Sequence, residues 1–177
     1  SYHTPTELPG GLSFTFRDAG HILGSAMIEI THNSTNIVFT GDLGNSPSPL
    51  LHDTEAITDA TYLVMESVYG DRNHTERWQR EEILEDVIED AVLWGGTLLI
   101  PVFSVERTQT LLYEINKLIE RGKIPKVPVF VDSPLAYKVT EIYRKRIAEL
   151  NEGVQKEIEH GWDVFKFSGL KFTLTPE

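Results

Sequence analysis

The chain has 177 residues, 40% of them hydrophobic and 24% charged, which is ordinary globular usage and enough length for one domain or parts of two; a disordered or fibrous chain is excluded. With no cysteine there can be no disulfide framework, thiolate zinc site or cysteine nucleophile, so any metal must be held by His, Asp or Glu. The net charge of −11 by itself disfavours non-specific nucleic-acid binding. No apolar run reaches the roughly 18 residues of a membrane span and no stretch looks like a signal peptide, so a soluble, cytoplasmic protein without membrane contact is expected.

Residues 12–17 (LSFTFR), 25–31 (SAMIEIT) and 36–40 (NIVFT) alternate apolar and polar side chains as half-buried strands do. The intervening His-Asn-Ser-Thr-Asn has the chemistry of a hairpin turn, and Gly41-Asp42-Leu43-Gly44 ends a strand at an acid. Residues 45–60, rich in Ser, Pro and Asp, read as a loop. The apolar run 61–66 (TYLVME) predicts a strand buried on both faces and closing on a carboxylate.

Between 70 and 76 the hydrophobic period changes from two to 3.6. Leu84, Val87, Ile88, Ala91 and Val92 predict an amphipathic helix over about 76–94, stopped by Gly95-Gly96. A strand is expected at 97–102 (TLLIPV). A second helix then follows Ser104 as N-cap, with Leu111, Leu112, Ile115, Leu118 and Ile119 in its buried stripe. A strand at 128–131 leads to Ser133-Pro134, an N-cap and a proline at the first helical position, with helix to about 150. A short helix near 153–160 and a strand near 171–175 complete the pass. Strands alternating with helices imply an α/β fold with a largely parallel sheet.

Charge is segregated. Residues 76–94 carry seven acids against two bases, and residues 107–146 carry nine bases against four acids. Two solvated helix faces of opposite sign account for this without any ligand.

Three polar residues stand at the ends of predicted strands: His21 in AGHILGS, Asp42 in FTGDLG and Glu66 in MESVYGDR. Strand ends that feed glycine-containing loops present side chains into a cleft on a rigid frame. Imidazole and carboxylate suit a divalent cation, but two ligands fall short of the three or four a zinc site uses, and a turn histidine beside a loop-capping aspartate is the commoner explanation. Arg107, near Ser104, would lie in the first turn of a helix, where a guanidinium and free N–H groups hold phosphate, or it pairs with a neighbouring acid. Ser133 is equally explained by capping. His74, close in sequence to Glu66 and Asp71, is a further candidate for the same cleft.

Taken in order, AGHILGSA, FTGDLG, MESVYGDR, IPVFSVERTQTLLYEI and VDSPLA resemble the metallo-β-lactamase-fold ribonucleases of the β-CASP group, which includes the pre-mRNA 3′-end cleavage endonuclease and ribonuclease J. The resemblance implies part of an αββα sandwich in residues 1–72, then part of a β-CASP domain with a mainly parallel sheet flanked by helices in residues 73–177. It implies a zinc-dependent hydrolysis of RNA phosphodiesters, with RNA lying between the two parts. His21 would bind one zinc and Asp42 would bridge two. Glu66 would orient a histidine that protonates the leaving oxygen, and Arg107, Ser104 and Ser133 would face the RNA backbone. Paired cations lower the pKa of a shared water and stabilise charge on the attacking and departing oxygens.

The group's His-X-His-X-Asp-His block is absent, as are its two later β-CASP histidines. The chain is therefore expected to be an internal piece of a longer enzyme, inactive alone, and to associate as a homodimer through uncovered apolar surface. Two rival readings are a non-catalytic RNA-binding or scaffolding paralogue and a small-ester hydrolase of the same fold. Keeping His21, Asp42 and Glu66 together opposes the first, and the basic stretch 107–146 opposes the second.

Overall fold

The computed structural model describes residues 1–72 and 79–173. The chain divides into two compact units, Ser1–Asn73 with Glu149–Asn151, and His74–Ala148 with Glu152–Glu177. The first is a five-stranded sheet in the order β1 (Thr6–Leu8), β2 (Leu12–Asp18), β3 (Ala26–His32), β4 (Thr35–Phe39), β5 (Tyr62–Val64). Its first three pairings are antiparallel and only β4–β5 is parallel. β2, β3 and β4 are joined by short connections, which reverse the chain, as the turn chemistry at 32–36 predicts for β3–β4, whereas parallel pairing, expected of the later strand–helix segments, needs a crossover such as the long 40–61 segment.

Strand alternation sorts the sheet into two faces. Met27 and Val38 lie on one face and are fully buried with Ala19 against Leu43, Ile57 and Ala60. On that same face Arg17 bridges Glu29 and Glu55, at 2.7 and 2.8 Å. The other face carries Phe14, Phe16, Ile28, Ile30, Ile37 and Phe39 in register, with Ile28 and Phe39 about two-fifths exposed. β5 is also more open than its apolar run predicts: Tyr62, Leu63 and Val64 are each at least half exposed, and among the described residues β5 is an edge strand paired with β4.

The second unit packs α1 (Arg80–Leu93), α2 (Arg107–Glu120), α3 (Pro134–Lys145) and α4 (Glu152–Glu159) with a small parallel pair, β6 (Val129–Val131) and β7 (Leu170–Phe172). Leu84 and Ile88 of α1 and Leu112, Ile115, Leu118 and Ile119 of α2 bury the predicted stripes in one core with Ile124 and Phe167. The segregated charges meet across these helices, where Arg121 pairs with Glu81, Lys123 with Glu85 and Arg80 with Glu114. Several sequence-based boundaries shift. Residues 97–102 form no strand, and Leu99 is 87% exposed. α3 ends at Lys145, beyond which a 3₁₀ turn covers Ile147–Glu149. The expected start of α1 near 76, His74 and the last two residues of the strand near 171–175 lie outside the described residues. Among the described residues no helix is long and apolar enough to cross a membrane.

Candidate functional site

His21 follows β2 in a turn built for it. Ile22 O accepts from Ser25 N at 2.9 Å across Leu23-Gly24, and Gly24 has φ +84°, a conformation that glycine adopts without steric cost. The Ser25 hydroxyl accepts from the backbone N–H of His21 and Ile22 at 3.1 and 3.2 Å, fixing the histidine backbone.

The loop after β4 is drawn onto this turn through two glycines. Gly44 N donates to Ala19 O at 2.8 Å, and a Cβ on Gly44 would lie 1.9 Å from Gly20 O. Only glycine permits that approach. It brings Leu43 O within 3.2 Å of His21 Nδ1 and Asp42 Oδ2 within 3.9 Å of His21 Nε2. If Nδ1 carries the proton it donates to that carbonyl, and Nε2 then turns a free lone pair toward the aspartate side. Asp42 is largely open to solvent.

Glu66 follows β5 and reaches the same loop. Its Oε1 accepts from Leu43 N at 2.7 Å, and its own N–H donates to Thr40 Oγ1 at 3.2 Å. The carboxylate thus anchors the residue after Asp42. His21, Asp42 and Glu66, far apart in sequence, converge around Leu43. Among the described residues no group of three or more His, Asp or Glu is placed to hold a metal ion. His21 and Asp42 are suited to be two members of a ligand set, since an imidazole oriented by a carbonyl and an exposed carboxylate are both zinc donors.

In the second unit, Ser104 Oγ and Ser133 Oγ lie 2.9 Å apart. Ser133 caps α3, accepting from Ala136 N at 3.1 Å as its position predicts. Ser104, by contrast, is not the cap of α2. That position belongs to Glu106, whose φ of +61° and ψ of −56° make a γ-turn closed by Arg107 N to Val105 O at 2.7 Å. Arg107 opens α2 with its side chain about half exposed and its Nε 3.6 Å from Glu106 Oε2. Two hydroxyl protons serve one mutual hydrogen bond, so whichever serine donates, the pair keeps one O–H for an outside acceptor.

Gln109, which the sequence places beside Ser104 and Arg107 at the candidate phosphate-binding turn, is not exposed there, and its burial is what sequence reasoning missed. It lies fully buried behind the serine pair, where a polar residue within a helical stripe gives no sign of its burial.

A family model described as the Beta-Casp domain matches residues 108–177. Over 164 residues the chain is 35% identical to "Ribonuclease TTHA0252" of Thermus thermophilus, covering 92% of this chain and 37% of that protein. It is 33% identical over 165 residues to an "RNase J-like protein" of Methanocaldococcus jannaschii, covering 90% and 38%. With "Endoribonuclease ysh1" of Schizosaccharomyces pombe it shares 32% over 157 residues, covering 88% and 21%. The chain therefore spans less than two-fifths of the length of these relatives. The Beta-Casp domain match and relatives named as ribonucleases, which run along nearly all of the chain, agree with the resemblance to the β-CASP group that its sequence blocks carry.

Proposed function

We propose that this chain is part of a zinc-dependent ribonuclease that hydrolyses RNA phosphodiester bonds, and that His21 and Asp42 contribute to its metal centre. The observation that carries the reading is the 3.9 Å apposition of His21 Nε2 and Asp42 Oδ2 on separate loops. A lone aspartate at a loop start needs no facing imidazole. When bound, zinc would supply an activated water and stabilise charge on the phosphodiester. The chain's own residues do the positioning: Leu43 O orients the His21 ring, and Glu66 holds the loop from which Asp42 projects. Glu66 is also the candidate to orient a general acid. In the second unit, Arg107 with the Ser104 and Ser133 hydroxyls offers a cation and a free O–H to an RNA phosphate.

With two recognised ligands, the 177-residue chain is proposed to bind single-stranded RNA without cutting it. Binding should weaken steeply with salt, because phosphate contacts release counterions, which a small-ester site would not do. Anisotropy titrations across a salt series, with gel assays for cleavage, test both statements. Salt-independent binding would overturn the RNA reading, and chelator-sensitive cleavage would overturn the proposed inactivity. We place the intact enzyme in the cytoplasm. Self-association through the open Phe39 and Ile28 side of the sheet is the proposed route to a homodimer, to be tested by light scattering at high concentration.

A further inference from the structure

Gln109 is the third residue of α2, and none of its surface is exposed. A buried primary amide is costly unless its groups are bonded. Its Nε2 lies 3.0 Å from Thr140 Oγ1, 3.2 Å from Ser104 O and 3.5 Å from Ala136 O. Thr140 gives its own proton to Ala136 O at 2.8 Å, so its hydroxyl accepts from Gln109. Three acceptors on one side require the nitrogen there rather than the oxygen. The Gln109 Oε1 is left without a hydrogen-bond partner among the described residues. An apolar side chain of similar size would carry no such penalty.

What the amide gains is a connection. One nitrogen ties the carbonyl of Ser104, which precedes α2, to Thr140 in α3, whose N-cap is Ser133. Those are the two segments that carry the paired hydroxyls. We propose that Gln109 is the positioning residue of the Ser104–Ser133 pair, holding the two helix starts at the separation where the pair offers one O–H to an RNA phosphodiester oxygen. This rests on Ser104, Ser133 and Arg107 being RNA contacts. Gln109 itself, being wholly buried, touches no RNA and acts through the serines.

The test is fluorescence anisotropy of a labelled single-stranded RNA oligonucleotide on the full 177-residue chain, with the fold of each variant checked by circular dichroism. Gln109→Leu is expected to weaken binding about fivefold, and Thr140→Val, which conserves shape and removes the same bond from its other end, about twofold or more. Ser104→Ala should weaken binding in the native background yet add less than about twofold in the Gln109→Leu background, because both changes disable one unit. A merely structural glutamine would instead give losses that multiply. Native affinity in a folded Gln109→Leu or Thr140→Val chain, or multiplying losses, overturns the proposal. If Gln109→Leu does not fold, the same comparison is made with Thr140→Val. Should Ser104→Ala and Arg107→Ala both leave affinity unchanged, the RNA-contact reading falls and this inference with it. Should they weaken binding while Gln109→Leu and Thr140→Val do not, only the role of Gln109 falls.

Discussion

His21 and Asp42 follow different strands, yet Nε2 of one stands 3.9 Å from Oδ2 of the other, with the histidine's second nitrogen 3.2 Å from the carbonyl of Leu43. An imidazole whose Nδ1 is engaged by a carbonyl presents Nε2 as the electron-pair donor. Isothermal titration of the chain with zinc is therefore expected to show a binding event that His21→Ala or Asp42→Ala each weakens by about tenfold or more. His52→Ala, at a loop histidine outside this pair, should leave it unchanged. Equal losses in all three variants would mean that zinc is read by loose surface histidines rather than by this pair.

The same geometry depends on Gly44. A methyl group there would sit 1.9 Å from Gly20 O, and backbone cannot swing aside as a side-chain tip can. Gly44→Ala should cost about 3 kcal/mol or more, seen as a fall in the urea midpoint, and should weaken zinc binding alongside. Gly41→Ala provides the contrast. Its φ of +57° strains any other residue, but a Cβ there meets nothing within 4 Å, so the cost should be nearer 1 kcal/mol.

The polar residues at 21, 42 and 66 were legible as glycine-flanked strand ends, but their gathering around Leu43 was not, because it rests on backbone contacts between loops distant in sequence. What periodicity cannot report is the partner. The apolar run at 61–66 reads as a strand covered on both faces, but Tyr62, Leu63 and Val64 are open, with nothing among the described residues covering both faces of β5. The run at 97–102 has strand composition and no strand beside it, leaving Leu99 in solvent. The alternating stretches 12–17, 25–31 and 36–40 came through nearly intact because one face of each is buried locally, whereas of the parallel sheet expected beyond 73 the described residues form one two-stranded parallel pair. Gln109 and Glu106 were illegible for another reason. Each is an ordinary helix-compatible residue whose burial or backbone conformation is imposed by tertiary contact.

Glu114, on α2, is buried against Arg80 of α1. Burial pushes its carboxyl above the ordinary glutamate range, and the Arg80 guanidinium only partly opposes this. A folded-state pKa raised above the unfolded one means that the folded chain holds the proton more tightly. The resulting stabilisation is fully present below the unfolded pKa and is lost as pH rises through the folded pKa. Glu114→Gln, which cannot ionise, lacks this loss. The variant should therefore gain in melting temperature relative to the native chain as pH is raised upward from about 4, the gain levelling off once Glu114 is ionised. A difference that is flat with pH would show that the Arg80 pair balances desolvation, and one that shrinks as pH rises that it outweighs it.

Glu106 occupies the centre of a γ-turn with φ +61° and ψ −56°, immediately before Arg107. Strain of this kind is tolerated where surrounding contacts over-determine it, and here the side chain accepts from Thr110 Oγ1 at 2.8 Å. Two substitutions separate the backbone from the hydrogen bond. Glu106→Ala loses the bond and keeps the strain. Glu106→Gly loses the same bond but relaxes the backbone, because without a Cβ the left-handed region carries no steric cost. The glycine variant should accordingly be more stable than the alanine variant by about 1 kcal/mol, the reverse of the order expected at an ordinary helix position. Chemical denaturation of the pair measures this directly. If alanine proves the more stable, the positive φ at 106 does not describe the chain in solution, and the path of the backbone into Arg107 must differ from the one described.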